Sequence, residues 1–484
     1  MTFEPIIGLE VHAQLLTQSK IFCGCSTRFG APPNSHTCPV CLGLPGSLPV
    51  TNREAVGMAM KAGLALGCRV NHRSILARKN YFYPDLPKGY QISQYKQPLA
   101  EDGFVMLPLT KADQSDQEET GQKRVGIIRV HLEEDAGKSI HLPAGDTQVN
   151  LNRCGVPLIE IVTHPDISSS REASDFLSFL RRILLYLGIC DGNMEEGSLR
   201  CDANVSVREV GASRLGTKVE IKNLNSFRFL QKALDFEIGR QGDVLQRGGS
   251  LRQETRLWDE DLARTSVMRT KEEVQDYRYF PDPDLLPVVI AEGWLQQINE
   301  GIPELPEVRA QRFAREYELS QEDAFLVTHS REFANYFERA IESYPQPKPI
   351  FNWMMGELTA YLKRDEARLG DCRIQPKSLA QLVRLVDQGT ISGKIGKEVF
   401  DKMYQTGGNP EEIVAEEGLT QISDADQLEE AIDSVLGSNP VQVQRYRDGK
   451  EGLIGFFVGQ IMKETGGQAN PKLVNQMLRK KLSQ

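Results

Sequence analysis

The apolar residues of this 484-residue chain change their spacing near residue 290, and this change constrains the fold more than any other feature. Before that point, short segments alternate apolar and polar residues and are broken by Gly, Pro and Asn, which is typical of antiparallel strands. After it, apolar residues recur with the 3.6-residue period of amphipathic helices. The sequence therefore predicts an α+β fold, with an antiparallel sheet first and helices after it.

Capping residues mark the ends of the few helices expected in the first part. Ser169, with Glu172 three residues later, predicts the start of a helix whose apolar face ends at Gly188. A second helix is expected to begin after Ser226. The Pro-rich segment 279–287 restricts both helix and sheet, so we expect the first domain to end there.

The helical part divides again at Gly407-Gly-Asn-Pro410, which is typical of a hinge. Before the hinge, helices are predicted after Ser320, over residues 351–369, and from Pro376 to Gly389. Short helices are expected from the hinge to the C-terminus. The predicted domains are 1–292, 293–406 and 407–484.

Composition excludes several classes of protein. A formal net charge of −9 argues against a protein that coats nucleic acid through its whole surface. No apolar run approaches the roughly 20 residues that span a bilayer, and the first five residues do not resemble a leader. Five of the nine cysteines are scattered and are expected to be reduced thiols. We therefore expect a soluble, cytoplasmic protein without a membrane partner.

Four cysteines are clustered with the spacing C-x-C-x12-C-x2-C, at Cys23, Cys25, Cys38 and Cys41. Tetrahedral zinc takes two close pairs of thiolates from two turns, so this spacing predicts a zinc knuckle. The alternative is four plain reduced thiols, and His36 is a possible substitute ligand.

An alternating segment just before the cysteines places an acid and an imidazole together. Between Ile6 and Leu15, Glu10 and His12 point to one face of a strand, and Leu9 and Val11 to the other. An acid and an imidazole on one face of a strand indicate a functional site. The alternative is a pair whose polar groups are satisfied by neighbours on a solvated sheet face.

Further carboxylates fall in strand-like segments at Glu133, Glu160 and Asp202. A lone acid inside an apolar strand is costly unless it is paired or bound to metal, which makes Glu160 the most informative. With Glu10 and His12 these acids would form a cup suited to Mg²⁺, although the acids around Glu133 alone are more typical of a solvated turn.

Phosphoryl transfer is the chemistry that such a cup favours, because it needs metal ions and positioned cations more than a protein nucleophile. The predicted phosphate-binding residues are Lys79, Lys88 and Lys222. Lys222 lies in another alternating segment, beside Glu220. The aromatic run 81–83 between the first two lysines is by default strand packing, with base stacking as the alternative.

Charge is concentrated at the C-terminal end. From residue 440 to residue 484 there are eight Lys or Arg and three Asp or Glu, so the segment carries 8 − 3 = +5. A folded basic surface contacts phosphates by shape and charge, as expected for structured RNA, and a solvated helical face is the alternative. The predicted tRNA contacts are Arg445, Arg447, Lys450, Lys463 and Lys472.

Seven long motifs are distributed along the chain. The first two are Gly-Leu-Glu-Val-His-Ala-Gln-Leu, 8–15, and Arg-Lys-Asn-Tyr-Phe-Tyr-Pro-Asp-Leu-Pro-Lys-Gly-Tyr-Gln-Ile-Ser-Gln, 78–94. The others cover 131–138, 152–162, 197–206, 220–227 and 459–475. These motifs resemble those of the GatB family, which belongs to the tRNA-dependent aspartyl/glutamyl amidotransferases, and the resemblance covers essentially the whole chain.

This resemblance implies an antiparallel-sheet cradle domain, an all-α helical domain and a small all-α, YqeY-like tail domain. It implies a ligase that phosphorylates the side-chain carboxylate of Glu-tRNA(Gln) or Asp-tRNA(Asn) with ATP and then replaces the phosphate with ammonia. The implied partners, in a heterotrimer, are the GatA glutaminase subunit and the GatC subunit.

The resemblance also assigns residues. The Mg²⁺ site maps onto Glu10, His12, Glu133 and Glu160, with Asp202 close by. Some relatives lack the cysteines, so zinc is expected to be structural. The rival interpretation is a non-catalytic zinc-ribbon adaptor that only holds tRNA, which would have no reason to bury an unpaired acid such as Glu160.

Overall fold

The computed structural model describes residues 3–108, 121–142, 145–270, 277–419, 425–466 and 469–483, apart from the side chains of 269–270, 425–427 and 471–472. Its internal contacts divide the chain into two compact units, Met1–Leu305 and Pro306–Gln484, which are described separately. None of the helices in the described ranges is long and apolar enough to cross a membrane.

The first unit is built mainly from strands, as the alternating segments predict. The strands are β1 Phe3–Gln14, β2 Arg69–Val70, β3 Arg73–Ser74, β4 Ala77–Asn80, β5 Tyr90–Ser93, β6 Ala100–Pro108, β7 Gln122–Glu134, β8 Lys138–His141, β9 Thr147–Asn150, β10 Pro157–Thr163, β11 Leu199–Glu209, β12 Val219–Leu224, β13 Glu254–Asp259, β14 Arg264–Thr270, β15 Phe280–Pro281 and β16 Val288–Val289.

Nine of these strands form one twisted sheet with the order β14-β13-β12-β11-β1-β10-β7-β6-β2. Neighbouring strands are antiparallel except β12 and β13, which run parallel. Parallel neighbours need a crossover connection, and a helix supplies it here. The first strand of the chain therefore lies in the middle of the sheet, between β10 and β11.

In the described part of this unit, four helices accompany the sheet: α1 Arg53–Ala65, α2 Ser170–Leu187, α3 Phe227–Gln246 and α4 Glu292–Glu300. The predicted start of α2 is confirmed, because Ser169 Oγ accepts a hydrogen bond from the backbone N–H of Glu172 at 3.0 Å. Gly188 ends α2 in the left-handed region at φ 66°, which glycine adopts without a Cβ penalty. Ser226 caps α3 in the same way as Ser169 caps α2.

The apolar face of α2 closes one side of the sheet. Phe176, Leu180 and Leu184 are fully buried, together with the inward residues Leu9 and Val11 of β1. Burying a side chain of this size contributes about 1.5–3 kcal/mol. Because successive residues of a strand face opposite sides, burying Leu9 and Val11 turns Glu10 and His12 away from this core.

The second unit is helical throughout its described part, as the 3.6-residue period predicts. Its α-helices are α5 Pro306–Glu316, α6 Gln321–Val327, α7 Arg331–Ser343, α8 Pro347–Trp353, α9 Thr359–Arg364, α10 Pro376–Asp387, α11 Gly393–Thr406, α12 Pro410–Glu416, α13 Ala425–Ser438, α14 Pro440–Arg447, α15 Ile454–Glu464 and α16 Pro471–Leu482. The predicted cap at Ser320 and the predicted helix that starts at Pro376 are confirmed.

The helix predicted over residues 351–369 has different ends. Helix α8 starts four residues earlier, at Pro347, and continues through a π-helical turn, Met354–Leu358, into α9, which ends at Arg364. Proline is preorganised for a first helical turn, so Pro347 explains the earlier start.

Two separate apolar cores stabilise the second unit. One contains Phe313, Phe337 and Phe400 and extends to Val414, and the other contains Phe457 and Leu478. The two cores favour a border between a helical domain and a tail. Because Val414 belongs to the first core, we propose that α12 stays with the helical domain, beyond the predicted border at residue 407.

Candidate active site and four-cysteine cluster

Four adjacent strands carry polar side chains on the sheet face opposite α2. The register places His131 of β7 beside Glu160 of β10, Glu160 beside His12 of β1, and His12 beside Arg200 of β11. Glu10 lies beside Asp202 in the same way. Because side chains alternate along each strand, these rows form one continuous polar surface.

A cavity of about 340 Å³ opens on this surface. Seven of the predicted site residues line it: Glu10, His12, Lys79, Glu133, Glu160, Asp202 and Lys222. The structure therefore brings together residues from separate segments of the chain. Aromatic side chains Tyr95, Tyr277 and Tyr279 form a further part of its lining.

Three ligand atoms in this cavity are close enough to share one cation. One side-chain atom each of His12, Glu133 and Glu160 lies within 4.8 Å of the other two. Among the described residues, Glu10 lines the same cavity but does not belong to this tight group. The two carboxylates suit Mg²⁺, which prefers oxygen ligands and completes its shell with water and phosphate oxygens. The imidazole adds a nitrogen donor, which is more typical of transition metals.

Glu160 is buried, with 8% of its surface exposed, but it is not alone. Its Oε2 atom lies 3.4 Å from His12 Nε2 and 3.2 Å from His131 Nε2. Burial favours the neutral acid, yet the charge of His131 and the hydrogen bonds from both imidazoles hold the pKa of Glu160 well below its usual value. The acid is therefore ionised and partnered, and its burial alone does not separate a catalytic site from an adaptor.

His131 belongs to the same cluster and was not found from the sequence. Its Nε2 atom also lies 3.2 Å from Glu133 Oε1. Burial lowers the pKa of His131, but the charge of Glu160 and the contact with Glu133 outweigh burial and raise it to about 9. The period-two series Arg129, His131, Glu133 was the available signal, because alternate residues of a strand share a face.

Glu10 differs in environment from Glu160. Its Oε1 accepts a hydrogen bond of 2.8 Å from Asn204 Nδ2. Burial, followed by the nearby charge of Glu160, raises the pKa of Glu10 above its usual value. A metal ion near Glu10 would offset both influences, since a cation favours the ionised carboxylate.

The three predicted phosphate-binding lysines have different surroundings. Lys79 lines the cavity with its ammonium 4.9 Å from the ring centre of Tyr277, a cation–π contact. Lys222 is held by Asp202 at 2.5 Å and by Glu220 at 2.9 Å. Lys88 lies in a neighbouring cavity beside the cysteines, where it is paired with the buried Glu134.

The four cysteines lie together as the spacing predicts. Their sulfur atoms are all within 4.8 Å of one another, and Cys38 Sγ and Cys41 Sγ are 3.9 Å apart. The hydrogen bond with Cys23 is the main cause that lowers the pKa of Cys41 to about 4. Four thiol ligands in this arrangement suit tetrahedral zinc.

The cysteine cluster is tied to the strand that carries Glu160. The backbone N–H of Ile21 donates to Gly155 O at 2.9 Å, and Cys154 Sγ lies 3.4 Å from Cys41 O. Strand β10 starts two residues after Gly155. These two contacts connect the cysteine cluster to the start of β10.

The predicted tRNA-binding residues lie on the surface of the second unit. Arg445, Arg447, Lys450 and Lys463 are exposed, and the side chain of Lys472 lies outside the described residues. A further tail lysine, Lys481, is instead neutralised by Asp433 at 2.5 Å and by Glu429 at 2.9 Å.

Two family models match this chain. Residues 5–296 match the family model of the GatB/GatE catalytic domain, and residues 335–482 match that of the GatB (Yqey) domain. A protein from Thermodesulfovibrio yellowstonii is 53% identical to this chain over 484 residues, and one from Geotalea uraniireducens is 53% identical over 487 residues. Each alignment covers 100% of both chains. A protein from Chlorobium phaeobacteroides is 52% identical over 482 residues, again with 100% of both chains covered.

All three relatives are named as the B subunit of aspartyl/glutamyl-tRNA(Asn/Gln) amidotransferase. The two family models together span most of the chain, with the sheet unit in the first match and the tail in the second. The chain therefore belongs to the GatB/GatE family.

Proposed function

We propose that this chain is the component of a tRNA-dependent amidotransferase that activates the side-chain carboxylate of Glu-tRNA(Gln), Asp-tRNA(Asn) or both. The γ-phosphoryl group of ATP is transferred to that carboxylate, and ammonia then displaces phosphate to give the amide. The observation that carries the proposal is the cluster of His12, Glu133 and Glu160 in a cavity that also contains Lys79. The relatives' names supply the substrate class.

His12, Glu133 and Glu160 would hold Mg²⁺, and Glu10 and Asp202 would complete the acidic wall around it. Bound there, the cation would neutralise charge that develops on the phosphate oxygens. His131 keeps Glu160 ionised, which metal binding requires. These residues position the reacting groups, and the acceptor carboxylate of the substrate acts as the nucleophile.

Lys79 is the cation best placed to contact phosphate. Its neighbours Tyr81 and Tyr277 make cation–π contacts with the ammonium, and no carboxylate oxygen in the described ranges lies within 4 Å of its Nζ atom. Lys222 is already engaged by two acids, and Lys88 lies outside this cavity. We therefore place Lys79 on the transferred phosphate, Lys222 in support of Asp202, and Lys88 in a structural pair.

Ammonia must come from a partner. The sequence shows neither an amidase Ser-Ser-Lys triad nor a glutaminase Cys/His pair, and free ammonia at neutral pH is mostly protonated. The relatives' names describe one subunit of a larger enzyme, which agrees with an assembly. We infer a cytoplasmic heterotrimer with a GatA glutaminase and a GatC subunit, in which zinc at the four cysteines has a structural part.

The tail is proposed to bind the tRNA away from the chemistry. Its four described candidates, Arg445, Arg447, Lys450 and Lys463, lie on a domain whose C-terminal segment has an excess of positive charge. Phosphate contacts of this kind give affinity that falls as salt rises.

The experiment compares Glu160→Gln with Glu209→Gln, an exposed acid at the end of β11, in the assembled complex. Amidation of each mischarged tRNA and aminoacyl-tRNA-dependent ATP hydrolysis are measured with the melting temperature. We expect Glu160→Gln to lose both reactions by at least about 100-fold while tRNA binding persists, because the cation site is lost. Near-normal activity of a folded Glu160→Gln variant would contradict the proposal.

A further inference from the structure

The Gln94 carboxamide is held in one orientation at the edge of the acidic cavity. Gln94 follows β5 and is buried, with 2% of its surface exposed. Its Oε1 atom accepts two backbone hydrogen bonds, from Leu99 N at 3.1 Å and from Leu132 N at 3.0 Å. Turning the amide over would bring its NH2 group against the N–H groups of Leu99 and Leu132, which are also donors. The two hydrogen bonds therefore hold Oε1 toward the backbone and Nε2 away from it.

The other end of the same amide has two donor hydrogens and no partner. Gln94 Nε2 is buried, and no acceptor in the described ranges lies within hydrogen-bond distance of it. Gln94 lines the cavity that contains Glu10, His12 and Glu160. A buried donor without an acceptor costs stability, so its presence here calls for an acceptor that the described residues do not supply, such as a bound ligand.

Arg129 shows the same pattern on the neighbouring strand. It lies in β7 two residues before His131, lines the same cavity, and its Nε atom is buried without a partner among the described residues. Elsewhere in this face Arg200 is neutralised by Asp135 at 3.0 Å. Within the part of the chain that the structure describes, no carboxylate lies within ion-pair distance of Arg129.

A cavity lined by carboxylates repels a phosphate, because both present only acceptor oxygens when ionised. Donors must therefore oppose the acids if an anion is to occupy the cavity. We propose that the Gln94 carboxamide and the Arg129 guanidinium bind non-bridging oxygens of the phosphoryl group while it passes from ATP to the substrate carboxylate. Neither residue forms or breaks a bond in this role.

This inference rests on the proposed function and goes further by assigning two residues to the transferred group itself. The competing structural explanation is that Gln94 serves only as a backbone acceptor, because Leu132 N and Leu99 N need one. That explanation accounts for Oε1 and leaves Nε2 unexplained.

Gln94→Glu and Gln94→Met together separate the two explanations. A carboxylate keeps an oxygen for Leu99 N and Leu132 N, removes both donor hydrogens and adds a charge. Methionine removes the donor hydrogens without adding a charge, so a loss of kcat in both folded variants follows from the donors. The matched control is Gln97→Glu, which makes the same change at an exposed position three residues along and outside the cavity. Arg129→Gln, with Arg124→Gln on the same strand but outside the cavity as its control, tests the second residue independently.

The assay is aminoacyl-tRNA-dependent ATP hydrolysis by the assembled complex, with kcat, the KM for Mg·ATP and the KM for mischarged tRNA measured separately. We expect Gln94→Glu and Arg129→Gln each to lower kcat by about 100-fold, since a lost donor to developing charge has this size of effect. The KM for tRNA and the melting temperature should stay near those of the controls. A purely structural role would lower the melting temperature and leave kcat of the folded enzyme unchanged.

Folded Gln94→Glu or Arg129→Gln enzyme with kcat within twofold of its control overturns the proposal. If Gln94→Glu does not fold, Arg129→Gln decides by the same criterion. Failure of this inference can be told apart from failure of the proposed function. If the proposed function is wrong, the wild-type complex lacks aminoacyl-tRNA-dependent ATP hydrolysis, or the Glu160→Gln variant retains it.

Discussion

Lys88→Met is expected to reduce the stability of the first unit rather than remove a phosphate contact. Lys88 Nζ is paired with Glu134 Oε1, and the side chains of both residues are at least nine-tenths buried. Glu134 also accepts a hydrogen bond of 2.8 Å from Ile92 N. Methionine fills the volume of the lysine chain but leaves the carboxylate without its cation.

The magnitude follows from the burial of the pair. Removing one partner of a buried ion pair costs about 3–5 kcal/mol, because the other charge stays buried and uncompensated. A unit of 305 residues gains about 0.6 kcal/mol/K of entropy on unfolding. The melting temperature should therefore fall by about 5–8 °C.

Calorimetry and ATP kinetics on the same preparations test this expectation. Lys96→Met is the control, because Lys96 is an exposed lysine in the loop that follows β5. The double variant Lys88→Met with Glu134→Gln should recover part of the loss, since the glutamine oxygen still accepts from Ile92 N and no charge remains. An unchanged melting temperature together with a tenfold higher KM for ATP would show that Lys88 contacts nucleotide and that the reasoning is wrong.

Three further changes have outcomes that can be measured directly. Cys38→Ser should lower the zinc content and the melting temperature, while ATP hydrolysis measured well below that temperature stays unchanged. Metal analysis that finds no zinc in wild-type protein purified without chelator would contradict a zinc site. Replacing Arg445 and Arg447 by Glu should raise the KM for mischarged tRNA and weaken the dependence of that KM on salt, while glutamine hydrolysis continues. An unchanged salt dependence would contradict tRNA binding by these two arginines. Glu237→Ala should lower the free energy of unfolding by about 3 kcal/mol in chemical unfolding, because the fully buried carboxylate accepts a hydrogen bond from Gln241 at 3.0 Å. A loss below about 1 kcal/mol would contradict this prediction.

Local pattern was sufficient to predict the sheet and part of its site. The alternation around Glu10 and His12 determines which face each side chain occupies, and the structure confirms that Leu9 and Val11 are buried on the other side. The capping residue Ser169 likewise predicts the start of α2, because its hydrogen bond is made within one turn.

Features that depend on distant partners could not be predicted in this way. Gln94 has no local signal, since its orientation comes from Leu132 on a strand 38 residues away. Lys88 follows a turn, where side-chain direction depends on packing rather than on strand alternation, so its pairing with Glu134 was not visible. The sequence indicated that Glu160 needs a partner, but only the sheet register shows that His12 and His131 provide one.

The central place of β1 determines when the site can be assembled during synthesis. This strand is made early, yet its two neighbours are β10 and β11, whose residues Glu160 and Asp202 leave the ribosome much later. At about 5–20 residues per second, β1 waits on the order of 10–40 seconds for its partners. A metal ion bound by the four cysteines would close that segment long before that, and would keep the N-terminal end compact while an apolar strand is still without neighbours. Zinc supply during translation should then influence the yield of folded protein in addition to the stability of the finished chain.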